Sequence, residues 1–171
     1  MNDGILEQAG ERWRLRFSRT LPHPPERVWR ALTAPDELAA WFPDRLEGDL
    51  STVGAVLRFS HDDDAFEPFD GEVLAAVPPG LLEFRWGTDV IRIEVASAPG
   101  GSTLTFTDTF AELGKAARDG AGWHLCLEHL GHALDGTPPP GPPRERWSEI
   151  HPAYVERFPP EASALGVPDG M

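Results

Sequence analysis

Two polar side chains on otherwise apolar strand faces are the first candidates for chemistry. Asp108 lies between Phe106 and Phe110 on one face of an alternating stretch, with Thr103, Thr105, Thr107 and Thr109 on the other. An inward carboxyl must be paired or protonated, because burying an isolated charge costs several kcal/mol. Such groups are enriched at functional sites. His61 follows Leu57 and Phe59 on one face, and imidazole titrates near neutral pH. His61 and Asp108 are therefore candidate catalytic residues for acid–base work. Arg19, in phase with Leu15 and Phe17, is a second candidate partner for Asp108. All three lie near strand ends, where plain solvent exposure is the competing reading.

Other chemistry-bearing residues carry weaker signals. His124, Glu128 and His132 recur every four residues, a spacing that can hold zinc on one helix face. That stripe lies opposite the apolar one, so a solvated face is expected there, and likewise at His129. Asp62, Asp63, Asp64, Glu67 and Asp70 form an acidic loop without the spacing of a calcium-binding EF-hand. The single cysteine, Cys126, falls on an apolar stripe and is expected to be inert. The alternating Arg12, Arg14 and Arg16 point to a wet strand face paired with acidic neighbours, rather than to a phosphate-binding stripe. No nucleophile elbow, phosphate-cradling glycine loop or Cys-x-x-Cys is present, so no cofactor and no metal is expected.

These residues sit in a chain of 171 residues, a length suited to one domain with a sizeable core. With 40% hydrophobic and 25% charged residues, it is neither disordered nor fibrous. A net charge of −13 disfavours nucleic acid and anionic membrane as partners, since both repel a polyanion. One cysteine excludes an intramolecular disulfide. The first residues show no basic segment followed by an apolar run, and no stretch is long enough to span a membrane. A cytoplasmic protein is expected.

Residues 1–11 form a lead-in without clear periodicity. Trp13, Leu15 and Phe17 then mark a strand. Two short helices follow, one from Pro24-Pro25 to Thr33 and one from Asp36 to Trp41, each bounded by proline. Residues 44–110 alternate in short runs separated by Pro78-Pro79-Gly80 and Pro99-Gly100-Gly101, the pattern of an antiparallel meander. From Gly122 the period becomes helical, with Trp123, Cys126, Leu127, Leu130 and Leu134 on one stripe and Gly136 as the stop. Residues 137–171 form a proline-rich linker and a tail. Trp147, Ile150, Tyr154 and Phe158 are placed to dock it on the domain of residues 12–136, and Pro152 is expected to split its helix or start a second turn.

The segments Pro24–Thr33, Pro35–Phe42 and Gly122–Leu134, in this order, resemble the signature elements of the START-like (SRPBCC, helix-grip) superfamily. Within it they resemble the bacterial proteins named for the activator of the heat-shock chaperone ATPase. The resemblance implies an α+β fold in which a curved antiparallel sheet of six or seven strands wraps a long C-terminal helix. It also implies a pocket between sheet and helix, with Trp13, Phe17, Arg19, Trp41, Phe59, His61, Phe84, Trp86, Ile93, Phe106, Asp108, Trp123 and Leu127 as candidate lining. Each apolar member is also a candidate for plain core.

The reading favoured over an enzyme is binding of a small hydrophobic molecule. In that reading Asp108, Arg19 or His61 orients its polar end, and Trp41-Phe42 with the tail controls access. The alternatives are a polyketide cyclase- or aromatase-like enzyme using the same cavity, and a regulator acting by protein contact, such as a chaperone-ATPase activator. A monomer and a homodimer both fit the sequence.

Overall fold

The structure, a computed structural model, describes residues 3–61 and 66–166. Strands β1 (Ile5–Ala9) and β2 (Arg12–Leu21) form a hairpin. Helices α1 (Pro25–Thr33) and α2 (Pro35–Leu38) follow, and then β3 (Arg45–Glu47), β4 (Val56–Ser60), β5 (Phe69–Val77), β6 (Leu81–Trp86), β7 (Asp89–Ala98) and β8 (Gly101–Phe110). Helices α3 (Ala116–Asp135) and α4 (Pro143–Arg157) complete the chain, with 3-10 turns at Leu113–Lys115 and Pro160–Ser163. The eight strands make one antiparallel sheet in the order β1-β2-β8-β7-β6-β5-β4-β3. The fold is α+β with the helix-grip arrangement. Among the described residues no helix is long and apolar enough to cross a membrane.

The strand count exceeds the expected six or seven because two short strands lack alternation long enough to register. The lead-in contains β1, which sets Leu6 opposite Leu15 and Glu7 opposite Arg14. The three-residue β3 borders β4 at the far edge. The alternation elsewhere has a direct cause. Leu15, Phe17, Ile91, Ile93, Leu104 and Phe106 turn to the helix side and are buried. The other face is laced with cross-strand ion pairs, Arg16–Glu7 at 2.8 Å, Arg92–Glu83 at 3.1 Å and Arg85–Glu72 at 2.7 Å. Arg14 also reaches Glu7, so Arg14 and Arg16 form the paired wet face that the sequence suggests, while Arg12 donates instead to the Thr88 carbonyl.

Helix α3 begins six residues before Gly122. Its first turns are built on Ala116, Ala117 and Ala121, strong helix formers that give no amphipathic signal of their own. It ends at Gly136, whose φ of 69° supplies the left-handed cap, with Thr137 N–H bonding to the His132 carbonyl at 3.0 Å.

Contrary to expectation, Pro152 does not split the tail helix: α4 runs continuously through it. An interior proline costs about 3 kcal/mol. Burying Trp147, Ile150 and Tyr154 against the body offsets this, at about 1.5–3 kcal/mol for each large apolar side chain. The two helices approach closely because α3 carries Gly120 there: a Cβ at that position would lie 3.1 Å from the Tyr154 ring.

The Tyr154 hydroxyl accepts a hydrogen bond from Gly4 N–H at 2.8 Å and lies 2.8 Å from His124 Nδ1, tying β1, α3 and α4 together. Tyr154→Phe strands the buried Gly4 N–H and should cost about 1–3 kcal/mol in urea unfolding. An unchanged midpoint would refute this three-way tie.

Candidate functional site

A cavity of about 580 Å³ opens between residues 39–44, the end of β6 and the first half of α3. Its walls include Trp41, Phe42, Phe66, Trp86 and Trp123, and its polar lining includes Asp44, His61, Lys115, Arg118, Asp119 and His129. Proline at 43 ends the short helical segment and turns the chain so that Trp41 and Phe42 point inward. Trp41 is anchored by an Nε1–H bond to the Ala31 carbonyl at 2.9 Å. Phe42 sits among Phe59, Phe84, Trp86 and Trp123, with ring centroids 5.9–6.4 Å away.

Phe42 separates the cavity from the deep space between sheet and helix, and that space is packed. Phe17, Phe59, Phe84, Ile93, Phe106 and Leu127 are buried core and do not line the cavity. Trp41, His61, Trp86 and Trp123 do. Trp13, opposite Phe110 across the sheet, does not. The void thus lies at one end of the α3–sheet interface rather than along it. Aromatic rings at positions 17, 59, 84 and 106 fill the rest.

The structure does not bring His61 and Asp108 together. His61 is exposed at the cavity, its ring tilted against Phe66 with centroids 5.2 Å apart, and its carboxylate neighbour is Asp44. Asp108 is fully buried between Leu15 and Ile91 and accepts a hydrogen bond from Trp123 Nε1 at 2.9 Å. Arg19 lies four residues further along β2, near Tyr154, Glu128 and Asp3, and so is not a partner of Asp108. Its guanidinium donates to the Ser18 carbonyl at 2.9 Å.

The partners of Asp108 are residues the sequence reading passed over. Burial first, and then the neighbouring Asp89 carboxylate, push its pKa well above the carboxylate range. Its Oδ1 finds no donor among the described residues, so a proton held there and directed at Asp89 satisfies both carboxyl groups. Lys115 Nζ lies 2.9 and 2.8 Å from the two Asp89 oxygens and 3.5 Å from Asp119. Burial works against that ammonium, but Asp119 and Asp89 outweigh it and hold its pKa above the ordinary value.

Carboxylate oxygens of Asp89, Asp108 and Asp119 fall within 4.8 Å of one another, the one potential metal-ligand set among the described residues. Lys115 already supplies its cation. Arg118 completes the cluster by donating to Asp119 at 2.9 Å.

A signal for Asp89 was present: it shares the parity of Ile91 and Ile93, so the alternation places it inward. Lys115 is the sole lysine and sits on a non-periodic stretch before the helix. Asp44 follows a proline and carries no periodic signal. Its pKa is raised by burial, against a Trp86 Nε1–H bond of 2.7 Å and the nearby His61.

The His124–Glu128 stripe is not a solvated face. Asp3 and α4 cover it, with Arg146 Nη2 2.6 Å from Glu128 and the His124 ring packed on Tyr154. His129 lines the cavity, and burial holds its pKa below the usual value. Cys126, also on the wall, is inert at neutral pH, because burial pushes its thiol up to about 12. In the acidic loop, Asp70 pairs with Arg58 at 2.7 Å, while Asp62, Asp63 and Asp64 lie outside the described residues.

Comparison with known proteins gives a consistent picture. The family model described as "Activator of Hsp90 ATPase homolog 1-like protein" matches residues 22–135. Among curated proteins none matches the chain. A conserved protein of unknown function from Enterococcus faecalis superposes with a TM-score of 0.73 at 23% identity, covering 90% of this chain and 89% of that one. CalU16 from Micromonospora echinospora gives 0.69 at 23% identity over 90% and 93%. A Mesorhizobium loti protein gives 0.63 at 26% identity over 72% and 98%.

Proposed function

The chain belongs to the family of Activator of Hsp90 ATPase homolog 1-like proteins, and on that premise we propose that it binds a small, largely apolar molecule in the cavity walled by Trp41, Trp86 and Trp123. The cavity carries this reading. Its volume of about 580 Å³ falls in the range of small-molecule sites, roughly 300–1,000 Å³, and aromatic walls with a few polar groups are the usual composition of such sites. Burial against those walls supplies affinity at about 25 cal/mol per Å² of apolar surface. The setting is proposed to be the cytoplasm, with no nucleic acid or membrane as partner.

A cyclase- or aromatase-like reaction needs an acid or base that reaches its substrate. Asp108 does not open on the cavity, Lys115 is held as a paired ammonium, and among the described residues neither His61 nor His129, which do line it, is hydrogen-bonded to a carboxylate as an acid–base pair. Binding without turnover is therefore the reading adopted.

Gly122 provides the test. It lies on the cavity wall, and a Cβ there would meet nothing within 4 Å. Gly122→Ala should stabilise the unliganded protein by about 0.5–1 kcal/mol, as expected for glycine replaced inside a helix. Gly122→Phe fills the void. Native mass spectrometry of protein purified from its own cells, with thermal-shift screening of hydrophobic compounds, should show a ligand retained by the native protein and by Gly122→Ala but lost from Gly122→Phe. A ligand that Gly122→Phe retains, or no ligand in either assay, would overturn the cavity reading and turn attention to action by protein contact.

A further inference from the structure

The cavity's charged groups are not equivalent. Lys115 is matched by Asp89 and Asp119, and Arg118 by Asp119. Burial keeps His129 toward its neutral form. Of the cavity's carboxylates, Asp44 alone has no cation within ion-pair distance among the described residues, and its imidazole neighbour His61 acts on it from beyond that distance. Among the described residues the one hydrogen bond of Asp44 is the Trp86 Nε1–H contact, to Oδ2. A carboxylate offers about four lone-pair sites, so most of its accepting capacity is unmet. It is also half-buried.

Around it stand five aromatic rings, whose faces are electron-rich and attract cations. An anionic ligand would meet Asp44 and find both neighbouring cations already engaged. A neutral ligand would bury Asp44 further without compensating it. A ligand ammonium supplies the missing counter-charge, and the net charge of −13 draws cations toward the protein.

Resting on the cavity reading above, we infer that the ligand is a cationic amphiphile, an aromatic or alicyclic body bearing a protonated amine that pairs with Asp44 while its apolar part lies against Trp41, Trp86 and Trp123.

Three probes of one skeleton test this: 4-phenylbutylamine, 4-phenylbutan-1-ol and 4-phenylbutanoate, titrated at pH 7 while following the cavity tryptophans by fluorescence. The amine should bind at least about tenfold tighter than the alcohol, and the carboxylate most weakly. Asp44→Asn keeps an oxygen acceptor for Trp86 Nε1. It should cut amine affinity about tenfold and leave alcohol affinity unchanged, so the alcohol reports whether the cavity is intact. Equal amine and alcohol affinities, or an amine preference that survives Asp44→Asn, would overturn the cationic assignment while the cavity reading stands. Binding by none of the three would remove both.

Discussion

Lys115→Met should destabilise the protein by about 3–5 kcal/mol, the usual consequence of removing one partner from a buried ion pair. The geometry makes Asp89 the main casualty. It is only 3% exposed, and its two oxygens lie 2.9 and 2.8 Å from the ammonium that would be lost. Asp119 keeps Arg118, but Asp89 is left facing only Asp108, another carboxyl. At this chain length each kcal/mol shifts Tm by about 2–4 °C, so a drop on the order of 6–20 °C is expected in thermal unfolding. Methionine matches the length of the lysine stem, so packing is largely preserved and the loss isolates the charge. Adding Asp89→Asn to Lys115→Met removes the stranded charge and should recover most of the stability. A single variant that loses under 1 kcal/mol, or a double variant no better than the single, would mean that Asp89 is not held by this ammonium.

That cluster also explains how far the site was legible. Periodicity reports which face of an element is buried, so it located the sheet, the helices and the inward Asp108 correctly. It does not report which residues fill an interior. Whether Phe59 and Phe84 line a void or occlude one depends on Phe42, a single ring on a short irregular segment that inserts among Phe59, Phe84, Trp86 and Trp123. The same limit hid the polar groups. Asp44, Asp89 and Lys115 are far apart in the chain, on or beside turns, and only the tertiary fold brings Lys115 against Asp89. The sequence offered His61 as a partner of Asp108 because both have inward parity. Parity fixes a face, however, not a position along it. The helix stripe of His124 and Glu128 failed as a solvated face for a related reason: its cover, α4, comes from a segment beyond a proline-rich linker.

Trp123 links the two halves of this site. Its ring forms cavity wall and packs on Phe106 at 4.7 Å, while its Nε1–H is committed to Asp108. The buried carboxyl therefore holds a wall of the binding cavity without opening on it. This makes Asp108 a positioning residue, and it accounts for a fully buried acid on a strand of threonines and phenylalanines without assigning it catalysis. The binding surface is then framed from behind by a charge cluster and in front by aromatic rings.

The protonation of Asp108 gives the second large effect. Burial and Asp89 raise its pKa in the folded state, so the native protein holds this proton more tightly than the unfolded chain. The stability this contributes is fully present below the unfolded value, about pH 4, and is lost as pH rises from there to the raised folded value. Over that window one proton is worth up to about 1.4 kcal/mol per pH unit. Asp108→Asn is neutral at every pH. Its amide oxygen can accept from Trp123 Nε1, and its NH2 can donate to Asp89 as the proton on Asp108 does. Measured by urea unfolding from pH 4 to 8, the variant should match the native protein at the acid end and gain on it steadily as pH rises. Every other ionisable group is common to both proteins, so the difference between the two curves isolates position 108. Asp108→Leu, equally neutral but lacking the acceptor for Trp123, should lie about 1–3 kcal/mol below Asp108→Asn at all pH values. A flat difference between native and Asp108→Asn across the window would show that the carboxyl is ionised throughout, and the shared proton between Asp89 and Asp108 would have to be abandoned.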